Sequence, residues 1–131
     1  MNNPDKRILV AEDEENLREM LVMVLEDEGY QIDSATNGKE AWDLINKNKY
    51  ELLATDLYMP EMNGIELIRK CQENHPYIKT LLLSGGGKNL EAEHKKRIVK
   101  FEDETIEIDT FMKKPYNLSE LLSVVEELLN N

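Results

Sequence analysis

Apolar residues in this chain fall into short blocks that alternate between two periods. Ile8-Leu9-Val10-Ala11 and Thr80-Leu81-Leu82-Leu83 are near-continuous apolar runs, as expected of strands buried on both faces. A third run over 51–55 ends at Asp56, and a weaker strand is predicted over 30–35 around Ile32. Between these runs the period changes to that of a helix. Leu17, Met20, Leu21, Val24 and Leu25 place an amphipathic helix over about 14–28, which Gly29 ends. Ala41, Leu44 and Ile45 line a second helix, with Trp42 at its edge. Leu67, Ile68 and Cys71 line a third, closed by Pro76. Leu118, Leu121, Leu122, Val125, Leu128 and Leu129 line the last. Asn37, Asn63 and Asn117 each stand three residues before a glutamate, the signature of a capped helix start.

The stretch 88–107 is the least regular. Leu90, His94, Ile98 and Phe101 give a weak helical stripe in a charged background, and Glu102-Asp103-Glu104 breaks it. A fifth strand is predicted over 108–112. The order is then βα five times over, which predicts a parallel sheet with helices on both faces. The 131 residues are expected to form one domain, 1–131, with no room for a separate DNA-binding effector.

Composition narrows the function. The formal net charge is −11, from 27 acidic and 16 basic residues, which disfavours direct binding to nucleic-acid phosphates. Apolar runs are far short of a membrane span, and the amino terminus lacks a signal-peptide core. Cys71 is the single cysteine, expected to be a buried small residue in a reducing compartment. A cytoplasmic location and no membrane partner are expected. His75 and His94 are expected to be solvated.

In a sheet of this kind the ligand site lies at the carboxyl ends of the strands. Those ends carry Glu12 and Asp13, then Asp56, then Ser84, then Lys114. Clustered carboxylates repel one another unless a cation joins them. An oxygen-only set suits Mg²⁺, with Asp13 and Asp56 as direct ligands and Glu12 bound directly or through water. Phosphoryl transfer needs positioning and charge neutralisation more than covalent machinery, and a carboxylate can be the nucleophile. Asp56 is therefore the candidate phosphoacceptor, Lys114 the counter-charge and Ser84 a hydroxyl donor. Gly85 lets backbone N–H groups approach the phosphate.

The run Asp56-Leu57-Tyr58-Met59-Pro60-Glu61-Met62-Asn63-Gly64 closely resembles the phosphorylation-site loop of bacterial response-regulator receiver domains. Glu12-Asp13 matches that family's acidic pair, Ser84 its hydroxyl position and Lys114-Pro115 its lysine–proline pair. The resemblance implies a three-layer (βα)₅ flavodoxin-like fold with strand order 2-1-3-4-5. It implies that Asp56 takes a phosphoryl group from a histidine kinase or histidine phosphotransfer protein with Mg²⁺. The chain would be a phosphoacceptor rather than an enzyme, catalysing at most its own phosphorylation and slow autodephosphorylation. The Tyr58 main-chain carbonyl would complete the metal site, Leu57 would contact the phosphate, and the Lys114–Pro115 bond would be cis. Ser84 and Phe111 would form the switch to an output surface, serving an effector the sequence does not name. The resemblance also leaves room for a phosphorylation-dependent dimer. Departures are Glu12 in place of aspartate, a long Ser84–Lys114 interval and Glu107-Ile108-Asp109 before the fifth strand.

Two other readings remain open on residues alone. An aspartyl-phosphate phosphatase would carry a second acid two residues after its nucleophile, where this chain has Tyr58. A scaffold that keeps only the fold would not need the charged site residues.

Overall fold

A computed structural model describes residues 5–84, 90–93, 98–102, 104–114 and 117–130, with backbone alone for 90–93. Strands β1 (Arg7–Ala11), β2 (Gln31–Ala35), β3 (Leu52–Asp56) and β4 (Lys79–Ser84) alternate with helices α1 (Glu15–Asp27), α2 (Gly38–Lys47) and α3 (Gly64–Asn74). Three short strands follow: β5 (Leu90–Glu93), β6 (Ile98–Phe101) and β7 (Glu104–Glu107). Strand β8 (Thr110–Lys113) and helix α4 (Leu118–Leu129) complete the order. The main sheet is parallel, in the order β2-β1-β3-β4-β8. This is the expected 2-1-3-4-5 arrangement, with β8 as its fifth strand.

The continuous apolar runs are explained by burial on two faces. Along β1, Ile8 and Val10 join Leu21, Leu25, Leu121 and Val125 on the side of α1 and α4. Leu9 and Ala11 join Ala41, Ile45, Ile65 and Ile68 on the side of α2 and α3. The four helices among the described residues all start at side-chain caps. Asn37, Asn63 and Asn117 accept from the amides of Glu40, Glu66 and Glu120 at 2.8, 2.9 and 2.6 Å. Glu14 caps α1, accepting from the Asn16 and Leu17 amides at 3.3 and 2.6 Å. Gly29 leaves α1 at φ 95°, a left-handed value that suits glycine. Cys71 is fully buried, and burial pushes its thiol up to about 12.

The fourth crossover differs from the expected helix. Residues of the 88–107 stretch form an antiparallel sheet, β5-β6-β7. The reason is period-two burial. Val99 and Phe101 are buried while Lys100 between them is exposed, and Ile106 is buried between exposed Thr105 and Glu107. The predicted stripe put Ile98 inward, yet Ile98 is only half-buried and Val99 is the core residue. β-branched Ile98, Val99, Thr105 and Ile106 favour the pleated alternative. Val99, Phe101 and Ile106 extend the core on the α2–α3 side, where a helix was expected. The acidic break is the β6–β7 turn, with Glu102 at φ 55°. His94 lies outside the described residues.

The fifth parallel strand begins at Thr110 rather than at residue 108. Asp109 takes the step before it. Its Oδ2 accepts from the Thr80 amide at 2.8 Å and lies 3.2 Å from the Thr80 hydroxyl. That carboxylate pins the entrance of β8 to β4. His75 is not simply solvated either. It is half-buried, lies 3.0 Å from Asn46 Oδ1, and packs edge-on between Trp42 and Tyr77.

At the opposite edge of the sheet from the strand carboxyl ends, Tyr50 is fully buried and its hydroxyl donates to Asp33 Oδ2 at 2.7 Å. Arg7 donates to the same oxygen at 2.8 Å. Burial, then the Asp33 contact, raises the Tyr50 phenol above its ordinary value of 10.0. The folded state therefore disfavours the phenolate. Its contribution to stability is complete below the unfolded-state value and is lost as pH rises above it. Urea unfolding should show Tyr50→Phe costing about 1 kcal/mol at neutral pH. The gap between variant and parent should narrow above about pH 10.

Candidate functional site

Each site residue sits at the carboxyl end of a parallel strand or on the turn just after it. Glu12 and Asp13 follow β1, Asp56 ends β3, Ser84 ends β4 and Lys114 follows β8. Register places these ends side by side. Ala11 pairs with Thr55, Asp56 with Leu83, and Ser84 with Lys113. The Lys114 amide then donates to the Ser84 carbonyl at 2.7 Å. Residues more than a hundred positions apart thereby share one sheet edge.

The three expected carboxylates do converge. Glu12, Asp13 and Asp56 each offer an oxygen, and these atoms lie within 4.8 Å of one another. Glu12 is 2% exposed, Asp56 half-buried and Asp13 exposed. Local bonds fix Glu12. Its Oε2 accepts from the Glu14 amide at 3.1 Å, and its carbonyl accepts from Arg18 Nη1 at 3.0 Å. Asp56 Oδ1 accepts from the Leu57 amide at 2.9 Å. Lys114 Nζ stands between the two acids, 3.4 Å from Glu12 Oε1 and 3.3 Å from Asp56 Oδ1. These distances are long for hydrogen bonds but short for ion pairs. The ammonium counters two carboxylates without being tightly committed to either.

Burial raises the carboxyls of Glu12 and Asp56 above their ordinary values. For Asp56, Lys114 and the Leu57 amide oppose the rise, and Asp13 adds to it. For Glu12, the Glu14 amide and Lys114 oppose it, while Asp56 adds to it. Three carboxylates facing one ammonium leave a site short of positive charge. A hard divalent cation that prefers oxygen fits this donor set.

The loop after Asp56 is tightly drawn. The Gly64 amide donates to the Leu57 carbonyl at 2.8 Å, and the Met62 amide to the Pro60 carbonyl at 2.8 Å. Glu61 takes a left-handed φ of 73° between them. Helix α3 starts so close to β3 that a side chain on Gly64 would overlap the Asp56 carbonyl oxygen. Tyr58 is half exposed, and its ring meets Phe101 edge-on at 5.8 Å between centroids. Ser84 is fully buried. Phe111, on β8, is half-buried beside Leu82 and packs against the α2–α3 core. Gly85 and the Pro115 side of the Lys114–Pro115 bond lie outside the described residues.

The sequence reading did not anticipate Arg18, Phe101 or Glu102 near the site. Arg18 was one charge among many on α1. The alternation around Val99 and Phe101 was the available signal for the other two. Among the described residues, no helix is long and apolar enough to cross a membrane.

Comparisons with known proteins agree with this geometry. The family model described as the response regulator receiver domain matches residues 8–126. The response regulator receiver protein CpdR of Brucella abortus is 34% identical over 125 residues, 95% of this chain and 97% of its own. The transcriptional regulatory protein SrrA of Staphylococcus aureus is 34% identical over 122 residues. That match covers 93% of this chain but only 47% of SrrA, so the chain spans about half of that relative. Among solved structures, TrrA of Thermotoga maritima in complex with Mg²⁺-BeF is 33% identical, with a TM-score of 0.76. The match covers 95% of this chain and 99% of that one. TrrA in complex with the histidine kinase ThkA is similar too, at 32% identity and a TM-score of 0.77, over 95% and 98% of the two chains.

Proposed function

Since the chain belongs to the response regulator receiver domain family of two-component signalling, we propose that Asp56 is its phosphoacceptor, served by Mg²⁺. The observation that carries this reading is the ammonium of Lys114 at 3.3 Å from Asp56, within a cluster of three carboxylates. Glu12, Asp13 and Asp56 would hold the ion, with the main-chain carbonyl of Tyr58. Bound there, Mg²⁺ would neutralise charge on the phosphoryl oxygens. The chain itself does the rest. The Asp56 carboxylate supplies the attacking oxygen. Lys114 moves its point charge from the two carboxylates to the phosphoryl group. The Leu57 amide, now spent on Asp56 Oδ1, and the Ser84 hydroxyl are the further donors. Gly85 is the expected backbone contact on the far side. Ser84 and the neighbouring Phe111 are the proposed switch, in which new contacts to the phosphoryl group bias two arrangements of the β4–β8 edge.

The donor is proposed to be the phosphohistidine of a sensor kinase or phosphotransfer protein, by likeness to TrrA, which is seen with ThkA. The whole of 1–131 is proposed to be one receiver domain, cytoplasmic and without an enzymatic substrate of its own. Its effector is a further protein or domain. The phosphatase reading is disfavoured by Tyr58, whose ring packs against Phe101 where that chemistry needs an acid.

Incubation with acetyl phosphate should add the mass of one phosphoryl group when Mg²⁺ is present and none when it is chelated. The Asp56→Asn variant should remain unmodified under both conditions. Label retained by that variant, or gained equally without Mg²⁺, would contradict the proposal.

A further inference from the structure

Asp13 belongs to the carboxylate cluster and also to the wall of a cleft of about 410 Å³. Tyr58, Met59 and Pro60, from the loop after Asp56, form one side of it. Phe101, at the end of β6, and Glu102, in the β6–β7 turn, form the other. The cleft is shallow and open to solvent. The turn is well anchored. Phe101 is buried against the Tyr58 ring, Glu104 pairs with Arg69, and Gln72 donates to the Glu107 carbonyl. Glu102 is the exception within this packing. Its side chain is exposed and its backbone sits at φ 55°, where glycine or asparagine would be less strained. Phe101 pairs with Glu104 across the hairpin, so a left-handed φ at Glu102 is what the tight turn asks for, and it leaves that side chain at the cleft mouth.

We propose that Phe101 and Glu102 determine phosphodonor specificity, favouring a donor whose leaving group is an imidazole over one whose leaving group is a carboxylate. The inference rests on Asp56 being the phosphoacceptor. An imidazole donor arrives as a phosphoimidazolium, with its ring positively charged. As the bond from an Asp56 oxygen to phosphorus forms, the P–N bond breaks and its electron pair returns to the ring nitrogen. The ring departs as neutral imidazole and no further proton need move. The half-exposed Tyr58 ring, held in place by buried Phe101, can meet a flat cationic ring. The Glu102 carboxylate favours its positive charge. An acyl phosphate releases an anionic carboxylate, which the same side chain repels.

The test uses the full chain with Mg²⁺ and compares phosphorylation rates from monophosphoimidazole and from acetyl phosphate. Because Glu102 is exposed, Glu102→Gln and Glu102→Lys leave the core untouched. The ratio of the two rates should fall about threefold in Glu102→Gln and further in Glu102→Lys. The acetyl phosphate rate should hold or rise. An unchanged ratio in both variants, or equal changes for both donors, overturns the inference while leaving Asp56 as acceptor. A parent protein that takes phosphate from neither donor overturns both.

Discussion

Replacing Lys114 by alanine is expected to slow phosphoryl incorporation at Asp56 by about 10²–10³-fold, the usual loss when one preorganised charge-stabilising donor is removed. The side chain stands 3.3 Å from Asp56 Oδ1 and 3.4 Å from Glu12 Oε1. No other cation is bonded to either carboxylate among the described residues. Without it, Glu12 and Asp56 face each other and Asp13 with no counter-charge, so the raised carboxyls of Glu12 and Asp56 should rise further. The same change should strengthen the response to Mg²⁺, because the ion then relieves a larger repulsion. Stopped-time intact-mass measurements give the rate, and melting temperature with and without Mg²⁺ gives the response. A Lys114→Ala protein phosphorylated at the parental rate would show that the ammonium is a bystander.

Gly64→Ala is the second large effect. The added methyl would overlap the Asp56 carbonyl oxygen and sit 3.1 Å from Leu57 Cα. These are backbone atoms, so no side-chain rotation relieves the clash. Either the start of α3 or the Asp56–Leu57 peptide must move, at a cost of about 1–3 kcal/mol. A displacement of Asp56 of the order of 1 Å would cost about 10²-fold in phosphorylation rate. Chemical denaturation and the mass-gain assay read the two losses. Gly38 makes a similar approach to the Met62 carbonyl, on the far side of the same loop. Gly38→Ala should therefore cost stability by displacing the loop from α2. A stable Gly64→Ala protein with parental kinetics would mean that the loop yields without moving Asp56.

The parallel sheet was legible because its central strands β1, β3 and β4 are buried on both faces, which leaves uninterrupted apolar runs such as Ile8 to Ala11. The helix starts were legible because Asn37, Asn63 and Asn117 cap them in a local pattern that tertiary contacts do not override. The convergence of Glu12, Asp13, Asp56 and Lys114 followed from topology alone, since parallel strands bring their carboxyl ends to one edge. The fourth crossover was obscured for a physical reason. Strands β6 and β7 are four residues each, too short for an alternating pattern to stand out from a helical one. Their charged outer positions further diluted it. The long Ser84–Lys114 interval was the visible sign that something other than a short helix filled the gap. Asp109 was harder still, because its bond to Thr80 joins residues that no local pattern connects.

Borohydride reduction of the phosphorylated protein, followed by peptide mass mapping, tests the central claim most directly. An acyl phosphate on aspartate is reduced to homoserine, which marks the residue that carried it. The mark should fall on Asp56 alone, and only when Mg²⁺ accompanied the phosphodonor. A mark on Asp13 or Glu12, or a phosphorylated protein that borohydride leaves unchanged, would contradict it.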